Sequence, residues 1–505
     1  MAVAVRPIPT AGPHRPTVEQ TAVMDLFKSG RDMVIQAGAG TGKTTTLGML
    51  ARTTSRHGCY VAFNKSAAQD ADRAMPVTVQ SSTMHSLAYR ALNAELGIWQ
   101  RLNDAKRMPS ARLAKRLGIG PVHVTIPGAP VKVLAPALLA GHVMRALRRF
   151  CESAAESPGP EHFPYLHGID VHDADGVHGN VNNRQLAYHL LEPLTKAWDD
   201  VRGPAMLVPF AHEHYLKIWQ LRNPQLPGEF VLFDEAQDAN GVMLAVLAAQ
   251  TGKQMVYVGD SQQQIYEWRG AINALDQFEG EQRWLSQSFR FGPAAAELAN
   301  VILARLDSPL RLRGTPSLAT RVGRCDRPRA VLCRSNATAV NVLLGVQREG
   351  RTGHLVGGDR ELIRFATAAA KLQAGEKVTH PDLACFDSWR EVQAYVDQDP
   401  AGDDLRMMVK LLDDYGVQIV LDALDGAIGE DGADVIISTA HRAKGREWPS
   451  VSLATDFDPP RDGDGNRLWE LQAPEWRLLY VACTRAREVL DITRCEAVSD
   501  LAAGR

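Results

Sequence analysis

The stretch VIQAGAGTGKTTTL, residues 34–47, constrains this chain more than any other. An apolar strand breaks at glycine, and a helix-forming run opens directly after Gly-Lys-Thr. Such a turn presents backbone N–H groups at a helix N-terminus, where the peptide dipoles favour an anion. Ala37, Gly38, Ala39, Gly40, Thr41 and Gly42 form a phosphate-binding loop. Lys43 is placed to reach the β- and γ-phosphates, and the Thr44 hydroxyl to hold Mg²⁺. Ala37 stands where the strict pattern has glycine.

The flanking residues set the fold class. GCYVAFN and VTVQSSTMHSLAYRAL read as a buried strand and as a strand followed by a helix. Strands alternating with helices make an α/β protein with a parallel sheet. Strand signals fade over the largely helical residues 92–205 and resume at EFVLFDEAQD and QMVYVGD. A second α/β unit follows, with strands at RAVLCRSN, ADVIISTAH, VSLATDF and EVLDITR. The prolines of residues 1–16 suggest a flexible tail.

With 505 residues the chain is too long for one ordinary core, so two lobes are expected. No apolar run is long enough to span a membrane, and no secretory signal is read at the N-terminus. The seven cysteines contain no C-x-x-C pair, which argues for a reducing compartment and against a zinc or iron–sulfur module. A net charge of −2 confines any nucleic-acid path to a local groove.

Two further stretches carry chemistry. In VLFDEAQD an apolar strand ends in paired carboxylates. Asp234 suits a Mg²⁺ site and Glu235 suits a base that activates water. In YVGDSQQQIYEWRGA, amides that can sense a γ-phosphate lie beside Tyr266, Trp268 and Arg269, and exposed aromatics are platforms for stacked bases. A basic run, Arg101, Lys106, Arg107, Arg112, Lys115 and Arg116, reads more simply as a solvated helix face than as a phosphate contact.

Taken in order, these stretches resemble the motifs of superfamily 1A DNA helicases of the UvrD, Rep and PcrA type. TVEQTAV is similar to the Q motif, YVAFNKSAA to motif Ia, TMHSLAYRA to motif Ib, DEAQD to motif II and GDSQQQIYEWRGA to motif III. LSQSFRFG resembles motif IV, STAHRAKGREWPSV motif V and EWRLLYVACTRAR motif VI. Within that group YVAFNKSAAQDA, HEHYLKIWQL and STAHRAKGREW look most like the helicase part of F-box DNA helicases and their bacterial and phage relatives.

The resemblance implies two RecA-like lobes: 1A at 17–91 and 206–273, and 2A at 274–344 and 434–505. The insertions would be 1B at 92–205 and a reduced 2B-like 345–433. It implies roles residue by residue. Gln20 and Phe289 would hold adenine and Glu447 the ribose. Gln263 would couple the γ-phosphate to DNA, and Arg269, Arg290 and Arg485 would surround that phosphate. Thr45 stands where relatives often have an arginine that sandwiches the base. Phe63, Asn64, His85, Tyr266, Trp268 and His441 would contact DNA.

The implied activity is an ATP- and Mg²⁺-dependent 3′→5′ translocase on single-stranded DNA and at single-strand/double-strand junctions. It would serve DNA repair or recombination in the cytoplasm, on a nucleoid or in a phage-infected host. Such a motor would unwind duplex or remodel protein–DNA complexes, with a nuclease or recombination protein as its protein partner. The motor subunit of a nuclease or defence complex, and a nucleotide-gated DNA-binding switch with little unwinding, are the competing expectations.

Overall fold

The computed structural model describes residues 15–104, 108, 110–125, 131–166, 169–170, 181–204, 206–266, 272–357, 360–380, 382–383, 386–398, 403–459 and 470–502. In chain order their strands are β1 (Met33–Ala37), β2 (Gly58–Ala62), β3 (Val79–Thr83), β4 (Val122–Val124), β5 (Lys132–Leu134), β6 (Phe230–Phe233), β7 (Gln254–Gly259), β8 (Glu281–Leu285), β9 (Arg321–Val322), β10 (Ala330–Cys333), β11 (Gly353–Leu355), β12 (Val435–Thr439), β13 (Trp448–Leu453) and β14 (Ala486–Asp491).

Two six-stranded sheets result, ordered β3-β2-β6-β7-β1-β8 and β11-β12-β10-β13-β14-β9. Every pairing in both is parallel. β1, β6 and β7 lie inside the first sheet and read as continuous apolar runs because both of its faces are covered. In open parallel sheets, ligands bind outside the carboxyl ends of the strands. The residues after β1, β6 and β7 are the phosphate loop, the paired carboxylates and the glutamine run.

One face of the first sheet packs Met33, Ile35, Tyr60 and Leu232 against Val23, Phe27, Leu47 and Leu50 of the helices Val18–Lys28 and Lys43–Ala51. The opposite face packs Val34, Val61 and Phe233 into one core with Leu147, Phe150, Trp198 and Trp219. The helical segment 92–205 therefore shares its core with the first lobe. Each large side chain buried this way contributes about 1.5–3 kcal/mol. In the second lobe, Leu343, Val435 and Ile437 pack against Phe365, Trp389 and Leu412 of the second insertion. Leu332, Ile436, Val451 and Leu453 face Phe291, Ile302 and Leu479 on the other side.

Two segments fall on the other side of the expected lobe boundaries. Residues 281–285 stand as β8 at the edge of the first sheet, in register with β1 from Met33↔Glu281 to Ala37↔Leu285. This short strand alternates half-buried and exposed positions, as an edge strand does, and carries no strong apolar signal. Residues 353–355, expected in the second insertion, form the edge strand β11 beside β12. Three residues are too few for a periodic pattern.

Two members of the basic run make structural contacts, while Arg112 and Lys115 are exposed on the helix Ser110–Leu117, as a solvated face would be. Arg101 is buried, donates to the carbonyls of Val201 (2.9 Å) and Asp200 (3.3 Å), and stands 4.1 Å from the Phe210 ring centroid. Arg116 donates to the carbonyls of Met206 and Leu207. Lys106 and Arg107 lie outside the described residues.

Candidate nucleotide cleft and nucleic-acid track

The phosphate loop leaves β1 and turns into the helix Lys43–Ala51. Gly40 (φ 74°) and Gly42 (φ 75°) take left-handed backbone that a side chain would strain. A Cβ on Gly40 would also stand 2.6 Å from Ser288 Oγ. β8 makes this approach possible. It carries the chain from the first sheet directly onto the loop, where Gly38 N–H donates to Leu285 O (3.1 Å) and Phe289 N–H to Gly40 O (2.8 Å). Ala37 is buried at the end of β1, Ala39 packs into the second lobe's core, and the Thr41 hydroxyl donates to Gly38 O at 2.8 Å.

The loop, the carboxylates and second-lobe residues line a cleft of about 960 Å³. Lys43 Nζ lies 3.0 Å from Glu235 Oε1 and 3.1 Å from Oε2. The Thr44 hydroxyl donates to Asp234 Oδ2 at 3.0 Å. A hydroxyl and a carboxylate oxygen side by side beside the phosphate loop are hard donors and suit Mg²⁺. Thr45 and the half-exposed Phe289 line the same cleft.

Burial raises the Asp234 carboxyl above its ordinary value, and the neighbouring Glu235 adds to this. Burial opposes the Glu235 carboxylate too, but Lys43 and Lys444 outweigh it and hold that group below the ordinary range. The Lys43 ammonium is disfavoured by burial, yet Glu235, Asp234 and Asp260 raise its pKa. Two adjacent carboxylates are thus driven apart, the usual sign of divided chemical roles.

The second lobe supplies cations. Arg290 Nε pairs with Glu447 Oε2 at 2.8 Å and its Nη1 donates to Thr484 O at 3.0 Å. Arg485 is buried, and burial, with Arg290 nearby, lowers its pKa to about 9. Its Nη2 reaches Gln263 Oε1 at 3.3 Å. Gln263 Nε2 donates to Asp260 Oδ2 at 2.6 Å, and Tyr480 OH donates to the same oxygen at 3.0 Å while accepting the Ala39 N–H at 3.2 Å. A line of hydrogen bonds therefore runs from the phosphate loop through Tyr480, Asp260 and Gln263 to Arg485.

Gln20 is placed elsewhere. It is buried, its amide oxygen accepts Thr17 N–H at 3.0 Å, and its Nε2 donates to Thr46 Oγ1 at 2.9 Å. It closes a capping box and does not line the cleft. Trp268 and Arg269 lie outside the described residues.

The remaining aromatics form a row beside the cleft. Phe63 stacks on Tyr266 with centroids 6.5 Å apart at 10°, and Tyr266 lies 6.2 Å from His441, to whose carbonyl its hydroxyl donates at 2.9 Å. Phe63 and Tyr266 also line the nucleotide cleft. On the first lobe a second hollow of about 490 Å³ is lined by Phe63, Asn64, His85, Tyr89, His212 and Tyr215. Asn64 additionally caps a helix by accepting Ala67 N–H at 2.8 Å. His85 sits edge-on to Tyr215, and burial lowers its pKa. On the second lobe a hollow of about 500 Å³ is lined by Tyr266, Arg334, Asn336, His441 and Arg442. The row thus passes from one lobe to the other.

Sequence reasoning missed Tyr60, Asp238, Asp260, Lys444 and Tyr480. All five stand inside the quoted stretches, with Tyr60 opening YVAFNKSAA and Asp238 closing DEAQD, and that position was the available signal.

The AAA domain family model matches residues 19–269, and the UvrD-like helicase C-terminal domain model matches residues 406–497. F-box DNA helicase protein 1 of Schizosaccharomyces pombe is 29% identical over 516 aligned residues, covering 94% of this chain and 57% of its own. F-box DNA helicase 1 of Gallus gallus is 29% identical over 518 residues, covering 94% of this chain and 48% of its own. The chain spans about half the length of these relatives. A solved structure of PRRSV helicase aligns with 94% of this chain and 54% of its own at 13% identity and a TM-score of 0.29. The two family models cover β1–β7 and β12–β14, and the chain belongs to the UvrD-like superfamily 1 helicases.

Proposed function

We propose that this chain is an ATP- and Mg²⁺-dependent DNA helicase. It moves 3′→5′ on single-stranded DNA, unwinds duplex at single-strand/double-strand junctions or remodels protein–DNA complexes, and acts in the cytoplasm. Among the described residues no helix is long and apolar enough to cross a membrane.

In this reading Thr44 and Asp234 hold Mg²⁺, which when bound shields the phosphate oxygens and polarises the bond that breaks. Lys43 leaves Glu235 for the β- and γ-phosphates. Glu235 then loses the partner that depresses its basicity and becomes the better base for the attacking water. Arg290 and Arg485 bring positive charge from the second lobe to the transferring group. Glu447 and Phe289 hold ribose and base. The lobes close while the γ-phosphate is present and reopen once it has gone, because the arginines' differential affinity is lost. Phe63, Asn64, His85, Tyr266 and His441 grip the strand, with Trp268 expected to join them, while Arg269 is expected to join the arginines around the γ-phosphate.

One observation carries the reading. Gln263 meets Arg485 with its side chain and Lys444 with its carbonyl (2.5 Å), and that lysine stands 5.4 Å from the Tyr266 ring centroid. The nucleotide cleft and the aromatic row therefore share their central residues.

The test is steady-state ATP hydrolysis with and without single-stranded DNA, beside Lys43→Ala and Glu235→Gln. Strong stimulation by DNA that both variants lose supports a coupled motor, and 3′- and 5′-tailed duplexes then read the polarity. Hydrolysis that ignores DNA, or tight ATP binding with no turnover, sinks it. Either result leaves a nucleotide-gated switch or a subunit that needs a nuclease or recombination partner.

A further inference from the structure

We propose that Tyr60 is a positioning residue for the Mg²⁺ carboxylate Asp234, an assignment that rests on the nucleotide reading above. β2 lies beside β6 with Tyr60 opposite Leu232. Side chains alternate along a strand, so Leu232 and Asp234 point to the face that Tyr60 occupies. The ring is fully buried in the core beneath the cleft, among Ile35, Leu47 and Leu232. Its hydroxyl emerges from that core and donates to Asp234 Oδ2 at 2.6 Å.

Three donors then fix the carboxylate. Tyr60 OH and Thr44 Oγ1 both reach Oδ2, and the Glu235 N–H reaches Oδ1 at 2.9 Å. Thr44 is itself assigned to the cation, and the Glu235 N–H belongs to a residue held in left-handed backbone (φ 54°). Tyr60 is the donor assigned neither to the cation nor to the reaction, and its hydroxyl also meets the Thr44 side chain. Its place is set by the strand pairing and by a packed ring, so it orients Asp234 before any cation arrives. Groups that orient a metal ligand in this way typically change metal affinity about 10–100-fold when removed.

The test is Tyr60→Phe, which deletes the hydroxyl and leaves the ring to fill the core. Binding of a fluorescent ATP analogue is titrated with Mg²⁺, and its affinity is measured separately in EDTA. The expected result is a Mg²⁺ midpoint raised about tenfold, with analogue affinity in EDTA unchanged. An unmoved midpoint overturns the assignment. So does an equal fall in EDTA affinity, which makes Tyr60 a support of the loop rather than of the carboxylate. A parent chain that binds no analogue under any condition removes the nucleotide reading itself, and the assignment falls with it.

Discussion

Lys444 and Asp238 form a buried ion pair between the lobes: Lys444 Nζ lies 2.7 Å from Asp238 Oδ1 and 2.5 Å from Oδ2, with the two side chains 10% and 2% exposed. Asp238 follows the paired carboxylates of the first lobe, and Lys444 follows the β12 strand of the second. The same ammonium meets Gln263 O and the Tyr266 ring. Any movement of one lobe against the other must strain or break this contact.

The pair makes acid sensitivity a test of coupling. Burial raises the Asp238 carboxyl to about 6 although Lys444 opposes the shift. A raised carboxyl binds its proton more tightly in the folded chain. That contribution to fold stability is full below the ordinary carboxylate range and is lost as pH rises through about 6. The ion pair runs the other way and needs the ionised group. DNA-stimulated hydrolysis is therefore expected to fall below pH 6 while, on this group's account, the fold gains stability. In Asp238→Asn the acid limb should vanish and hydrolysis should stay low throughout. A pH profile of that variant with an unchanged acid limb rules this out.

The Tyr480 hydroxyl joins Ala39 N–H to Asp260 Oδ2. In Tyr480→Phe both groups stay buried and each loses a partner. The expected cost is about 1–3 kcal/mol of stability, read as a lower Tm. The KM for ATP should rise as well, because Ala39 belongs to the phosphate loop. A wild-type Tm together with a wild-type KM contradicts the line of bonds described above.

Base selectivity should be weak. Gln20 spends its amide on Thr17 and Thr46, and Thr45 presents no planar group opposite Phe289. A stacking platform is sequence-tolerant, since every base has a π-face. GTP is expected to support DNA-stimulated hydrolysis with kcat/KM within about tenfold of ATP, the factor that 1.4 kcal/mol separates. A preference for ATP of a thousandfold or more would show that Gln20 changes partners when nucleotide binds.

Phe63 and Tyr266 stack on one another and flank both the track and the cleft. Phe63→Ala should weaken single-stranded DNA binding by about 1–3 kcal/mol, equally for oligo-dT and mixed sequence, because stacking carries little sequence information. Fluorescence anisotropy with both oligonucleotides measures it. A loss confined to one sequence points instead to hydrogen-bonded base readout.

Local chemistry made part of this protein legible in advance. Gly40 and Gly42 need left-handed backbone, Lys43 and Thr44 must open a helix, and Asp234 and Glu235 must end a buried strand. Each requirement is met by neighbours a few residues away. The alternation of apolar strands and helices likewise determined two parallel sheets. Tertiary structure decided the rest, because pairings between distant segments leave no local periodicity. Only the register of β8 on β1 delivers Phe289 and Arg290 to the phosphate loop. Only the β2–β6 pairing brings the Tyr60 hydroxyl under Asp234, across 174 residues of chain. Whether Gln20 faces a base or a capping box, and whether Arg101 meets solvent or the Phe210 ring, was decided by packing against residues that sequence order does not bring near.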